Sequence, residues 1–133
     1  MKGFLHIITD GKVVYFSSMD IDQLRVICTA LPAVTEDIKW GHDLVFSVGG
    51  KMFCVASLEP PFTCSFKVRD EEFEELRGQD GFKPAPYMAR AKWVLVTNPG
   101  KMNKKEWERR VRDSYDMVKQ KLTKKARTDL GIL

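Results

Sequence analysis

Apolar positions along this chain switch between a period of two and a helical period. At the start, residues 4–9 (FLHIIT) and 12–16 (KVVYF) are runs of β-branched and aromatic residues flanking Asp10-Gly11. An Asp-Gly pair supplies the positive φ that a two-residue type I′ turn needs, so this stretch predicts a β-hairpin. Both faces of that hairpin are apolar, which calls for cover from the domain or from a partner chain. Past Asp20, a residue suited to cap a helix, Ile21, Leu24, Ile27, Cys28 and Leu31 recur at helical spacing. Pro32 stops that helix. Residues 35–42 lack either period and read as a loop.

Residues 43–57 predict a second hairpin, folded at Gly49-Gly50. A plain two-residue loop sets Phe46 opposite Phe53 and Leu44 opposite Val55. With Val48 these form one apolar, core-facing side. Val45, Cys54 and Ala56 then fall with Asp43, Ser47 and Met52 on the other side. Pro60-Pro61 marks a rigid turn before a third strand over residues 62–68. Asp70 is expected to cap an acidic helix over residues 71–77, closed by Gly78. Residues 79–86, rich in Gly and Pro, read as a loop, residues 92–97 as a strand, and Asn98-Pro99-Gly100 as a turn. Asn103 with Glu106 has the form of a capping box, and Trp107, Val111, Tyr115, Val118 and Leu122 recur along one face of a last helix. The order predicts an α+β fold, an antiparallel β-sheet with helices packed on one face. Residues 1–18 are the added hairpin and residues 19–133 a single domain.

Composition agrees with that picture. The 133 residues suit one domain, and 44% hydrophobic with 30% charged residues is globular rather than disordered. No apolar run approaches the ~20 residues of a membrane-spanning helix. His6, Thr9, Asp10 and Lys12 interrupt the start where an export signal would be unbroken, so a cytoplasmic location is expected. Cys28, Cys54 and Cys64 form no C-x-x-C pair and sit in apolar patterns, as buried thiols of a reducing compartment do. The net charge of +4 is uneven. Residues 101–133 carry 11 Lys/Arg against 5 Asp/Glu, while residues 1–100 carry 11 against 13.

Candidate chemistry is sparse. His6 and His42 are the two histidines. His42 adjoins Asp43, but nothing marks a nucleophile, base and orienting group, so no catalytic set is expected. Two histidines and dispersed cysteines give no zinc spacing, and Gly49-Gly50 is a turn rather than a phosphate cradle. Neither a metal nor a cofactor is expected. Asp70, Glu71, Glu72, Glu74 and Glu75 suit a solvated helix start, which the macrodipole favours, with a site for a hard cation as the alternative. In residues 84–93, Tyr87, Arg90, Lys92 and Trp93 combine rings and cations as nucleic-acid surfaces do. Trp93 alternates with Leu95 and is assigned to the core, leaving Arg90 and Lys92 for the surface. In the last helix, Glu106, Glu108, Asp113 and Asp116 suit ion pairs with neighbouring cations. Beyond Asp116 only Asp129 opposes the basic residues, so Lys119, Lys121, Lys124, Lys125 and Arg127 are the polyanion candidates, a solvated helix face being the alternative.

From Asp20 to about Arg127 the chain resembles the MmcQ/YjbR family. The resemblance is carried by Leu31-Pro-Ala-Val-Thr-Glu-Asp37, Trp40-Gly41, Val48-Gly-Gly-Lys-Met-Phe53, the stretch Pro84 to Trp93, and Asp113-Ser-Tyr-Asp-Met-Val118. It implies a CyaY-like α+β fold and a DNA-binding role, the latter by structural likeness to a double-wing arrangement. Frataxin-type proteins of that fold handle iron through acidic residues, but their sequence pattern is not present here. Family members begin near the helix that starts at Asp20, so residues 1–18 are an extension or a non-native start. The expectation is a non-catalytic module for DNA or another polyanion, monomeric or a homodimer through the N-terminal hairpin. A small-molecule or protein-interaction domain is the alternative.

Overall fold

The computed structural model describes residues 4–9, 12–17 and 19–133, the first two stretches by their backbone pairing alone. Strands β1 (Phe4–Thr9) and β2 (Lys12–Ser17) pair antiparallel, from Phe4 opposite Ser17 to Thr9 opposite Lys12, in a two-stranded sheet of their own. The Asp10-Gly11 turn and the covering of the hairpin's apolar faces lie outside the described residues. Helix α1 (Ile21–Thr29) begins where Asp20 accepts a hydrogen bond from the Gln23 N–H at 2.9 Å, and it buries Leu24 and Cys28.

A six-stranded antiparallel sheet follows: β3 (Val34–Lys39), β4 (Asp43–Val48), β5 (Lys51–Ser57), β6 (Cys64–Lys67), β7 (Phe82–Pro84) and β8 (Trp93–Val96), in the spatial order β3-β4-β5-β6-β8-β7. The segment expected to be a loop before the sheet is therefore its edge strand β3. Its Thr35, Glu36, Asp37 and Ile38 are exposed, so no alternation marks it, and its charges suit an edge that must resist further pairing. Strand β7, also expected as loop, is the other edge. Its Pro84 is tolerated because an edge strand has one side free of ladder bonds.

Gly49 and Gly50, at φ +57° and +78°, make the β4–β5 turn with both central residues in the left-handed region. Beyond it the register departs from the simple expectation. A bulge between Phe46 and Ser47 of β4 sets Ser47 opposite Met52 but Phe46 opposite Cys54 and Leu44 opposite Ala56, leaving Phe53 as the extra residue. One added residue exchanges the faces of everything after it. Cys54 and Ala56 turn to the core and Val55 to the opposite face, the reverse of the sequence-based assignment. Two rows then run across the sheet on the core side, Leu44–Ala56–Cys64–Val96–Phe82 and Phe46–Cys54–Phe66–Val94–Pro84. Val45, Val55, Ser65 and Leu95 form a row on the other face. Trp93 is buried, as expected, but it lies on that second face beside Lys67 rather than among the core rows.

Helix α2 (Asp70–Leu76) starts at its expected cap, one residue early: Arg69 is the N-cap, and its N–H donates to the Glu72 carboxylate at 3.3 Å. Helix α3 (Lys104–Gln120) is capped by Asn103, which accepts from the Glu106 N–H at 2.8 Å. The chain then turns, and a separate helix α4 (Lys124–Leu130) begins at Thr123, whose hydroxyl accepts from the Ala126 N–H at 3.0 Å. The basic tail expected after the last helix is thus itself helical, since Thr123 offers the backbone a cap that starts a new helix.

Trp107, Val111, Tyr115, Val118 and Leu122 are buried against the core rows together with Leu24 and Cys28. Three polar tips on α3 fix its position. Trp107 Nε1 donates to the Pro99 carbonyl at 3.1 Å, and Tyr115 Oη donates to that of Pro32 at 2.6 Å. Ser114, fully buried, donates to the Phe53 carbonyl at 2.6 Å and accepts from the Lys67 N–H at 2.9 Å. Those are the groups left where the β5–β6 ladder stops, at the bulged residue. A buried backbone group without a partner costs about 1–3 kcal/mol. Ser114→Ala is expected to destabilise the protein by about 2 kcal/mol or more. Urea unfolding should show a lowered midpoint with an unchanged slope, and a change under about 0.5 kcal/mol would refute the bridge.

Cys28, Cys54 and Cys64 are reduced, buried and close together, with 3.4 Å between the sulfurs of Cys54 and Cys64. Burial pushes the Cys28 and Cys64 thiols up, while hydrogen bonds from Cys28 and Cys64 hold that of Cys54 down to about 5; all three sulfurs are shut off from solvent, so none is open to a reagent. A thiol reagent at neutral pH should leave all three unmodified in the native protein and titrate all three after unfolding. Fast modification of any of them in the native state would contradict this packing.

Candidate nucleic-acid interface

Helix α3 carries two electrically different halves. Around its first half, Lys104, Arg109 and Arg110 are matched, while among the described residues Lys105 and Arg112 form no ion pair. Arg110 Nη1 meets Glu72 at 2.6 Å, and Arg69 and Arg109 approach the same carboxylate at 3.4 and 3.7 Å. Arg69 and Arg109 also meet Asp113 at 3.2 and 3.3 Å. Lys104 and Glu108 stand 4.0 Å apart. The Arg110 and Glu72 side chains are only 11% and 18% exposed, so their pair is far less screened than an ordinary surface bridge. The network ties α2 to α3. It also occupies Glu72, so the acidic helix commits its most shielded carboxylate to three guanidinium groups. Among the described residues no three His, Cys, Asp or Glu side chains converge on a common point suited to a metal ion.

The second half of α3 and the segment facing it are different. Lys67, on the outward face of β6, donates from Nζ to the Ala91 carbonyl at 2.5 Å. That carbonyl belongs to the 3₁₀ turn Ala89–Ala91, which precedes Lys92. The Lys92 carbonyl accepts from the Val68 N–H at 2.9 Å, and its Nζ lies 5.0 Å from the centre of the Phe73 ring. Lys67 is pushed below the ordinary lysine value, first by burial and then by the neighbouring charges of Lys121 and Lys92, against which Asp70 pulls. Lys67, Lys92 and Lys121 therefore share one positive region. Arg90, exposed, lies two residues before Lys92, and Tyr87, three residues before Arg90, is fully exposed at φ +66°. A non-glycine residue in the left-handed region is uncommon, and here it accompanies a phenol ring held in water.

The seven residues singled out from the sequence divide accordingly. Arg90, Lys92 and Lys121 fall in or beside this region. Lys119 lies half-buried on the last turn of α3. Lys124, Lys125 and Arg127 lie on α4, which the break at Thr123 takes off the line of α3. Lys125 meets Asp129 at 3.0 Å; among the described residues none of the other six forms an ion pair. Arg127 keeps a buried Nε without a partner. Sequence reading missed Lys67. Its signal was the alternation Cys64, Ser65, Phe66, Lys67, which puts a lysine on the outward face of a strand. His42 and Asp43 meet at 3.0 Å at the exposed start of β4.

A six-stranded antiparallel sheet packed with helices defines a small α+β domain. The YjbR family model matches residues 29–117. The chain belongs to the YjbR family. A protein from Pseudomonas syringae, known from a crystal structure, has the same fold: the TM-score is 0.64 at 20% identity, over 75% of this chain and 99% of that one. No curated protein matches the chain. Among the described residues no helix is long and apolar enough to cross a membrane.

Removing the shared carboxylate should expose the cost of the α2–α3 network. Glu72→Ala leaves the shielded Arg110 with only the longer contact to Glu106, at 3.7 Å, and is expected to destabilise by about 2 kcal/mol. Glu74→Ala, whose exposed side chain meets only Arg77 at 3.7 Å, should stay within about 0.5 kcal/mol. Equal effects of the two substitutions in urea unfolding would contradict the network.

Proposed function

We propose that this chain is a non-catalytic, cytoplasmic nucleic-acid-binding module, and that its contact surface is the loop Tyr87 to Lys92 with Lys67 and Lys121. The observation that carries this reading is the gathering of Lys67, Lys92 and Lys121, without an ion pair among the described residues, at the end of a loop that exposes the ring of Tyr87. Three positive charges held near one another are unfavourable unless an anion relieves them, and a phosphate chain supplies such charges at regular spacing. An exposed aromatic ring next to cations is the arrangement that stacks an unpaired base. Lys119, Lys124 and Arg127, which form no ion pair among the described residues, extend the positive potential and strengthen encounter at low salt. The resemblance-based expectation of DNA binding points the same way. The ring favours single-stranded over duplex nucleic acid, because a base inside a duplex has no face open to it.

Fluorescence anisotropy with single-stranded DNA, RNA and duplex DNA of about 16 nucleotides, an upper site size for such grooves, tests this across a salt series. Single-stranded binding should weaken with salt at a log–log slope of about −3, as expected for four phosphate contacts at about −0.7 each. Lys67→Ala, Lys92→Ala and Lys121→Ala should each reduce the slope by roughly 0.7. Tyr87→Ala should weaken binding by roughly tenfold while leaving the slope unchanged. No binding to any of the three at low salt, or binding indifferent to salt, would overturn the proposal.

A further inference from the structure

A second surface lies between α1 and the first half of α3. It is an open groove of about 810 Å³ whose two walls differ in kind. The α1 wall is uncharged: Gln23, Val26, Ile27, Ala30 and Leu31. Val26 is 71% exposed there, although a helix of a folded domain ordinarily turns such residues inward. The α3 wall carries Lys104, Lys105, Arg109 and Arg112 with one carboxylate, Glu108. Lys104 is taken up by Glu108, and Arg109 by Glu72 and Asp113. Lys105 and Arg112 are exposed and, among the described residues, form no ion pair.

Three features decide what fits. Both walls are helices, whose backbone groups are already bonded within the helix. The groove offers no strand edge, so an occupant has to satisfy its own backbone, as a helix does. The apolar wall needs an apolar face: nucleic acid would leave Val26, Ile27 and Leu31 against phosphate and gain little from them. The free cations lie on one side only, so the complementary charges belong along one flank of the occupant. We propose that the α1–α3 groove is a docking site for an amphipathic helix of a partner protein, with apolar residues toward Val26 and Ile27 and Asp or Glu toward Lys105 and Arg112. This function goes beyond nucleic-acid binding and uses none of the residues assigned to it. One domain then joins a nucleic acid to an acidic helical partner through opposite halves of α3.

The test uses the full chain and two labelled synthetic peptides of about four helical turns. One has leucines at i, i+3, i+4 and i+7 with a flank of glutamates; the other has the same leucines and a flank of lysines. The acidic peptide is expected to bind and the basic one not. Val26→Asp should weaken the acidic peptide by at least about tenfold, the cost of losing an apolar anchor. The double substitution Lys105→Glu, Arg112→Glu should weaken it similarly and transfer binding to the lysine peptide, which a loss of folding cannot do. Thermal melts should be unchanged, because all three residues are exposed and the two cations unpaired. Lys67→Ala and Tyr87→Ala should leave peptide binding intact, which separates this site from the nucleic-acid surface. The proposal fails if the acidic peptide does not bind, or if its binding is indifferent to Val26→Asp. It also fails if Val26→Asp abolishes binding of the single-stranded oligonucleotide instead.

Discussion

The hydroxyl of Ser114 is the contact on which the arrangement of this domain depends. The β5 strand carries one residue more than its partner, and the extra residue, Phe53, leaves its carbonyl without a place in the ladder. Across from it the Lys67 N–H of β6 is equally unmatched. Ser114 reaches from α3 between the two strands and serves both, accepting from one and donating to the other. Without it the bulge would leave two buried backbone groups unsatisfied. Without the bulge, Cys54 and Ala56 would point away from α1 and α3, and the core rows would be broken at β5.

That single constraint also sets the geometry of the surface. It holds the last turns of α3 over the end of β6, where Lys121 comes near Lys67. Leu122 then lies under the β4–β5 turn, so close that a Cβ on Gly49 would stand 2.7 Å from Leu122 Cδ1. The same helix position lines up Arg109 and Arg110 with Glu72, which neutralises those two cations. Charge on the helix is thereby divided: ion pairs knit Arg109 and Arg110 to α2, while among the described residues Lys105, Arg112 and Lys119 remain unpaired. A uniform stripe of lysine and arginine in the sequence becomes two surfaces with different uses.

The division explains how a domain with modest net charge can present a strong local field. Of the basic residues in the last quarter of the chain, several are cancelled within hydrogen-bond distance. Of those that are not, Lys121 gathers with Lys67 and Lys92, which come from elsewhere in the sequence. The gathering is a property of the fold, since neither lysine stands out by its neighbours in the chain.

Much of the architecture was legible from residue spacing. The helical periods of Leu24 and Cys28, and of Trp107 to Leu122, located α1 and α3, because burying one stripe of a helix requires that spacing. Gly49-Gly50 and Asn103 marked a turn and a cap through backbone conformations few other residues supply. The sequence by itself thus determined the fold class, the helix faces and the basic excess of the last quarter. Tertiary structure alone decided the rest. Strands β3 and β7 were missed because an edge strand half in water needs no alternation. The β5 register was misplaced because a bulge is a response to packing against α3, not a local preference. The cationic region was only half seen, through Arg90, Lys92 and Lys121. Lys67 joins it across a strand pairing, and only the folded chain brings residues so far apart in sequence into one electrostatic field.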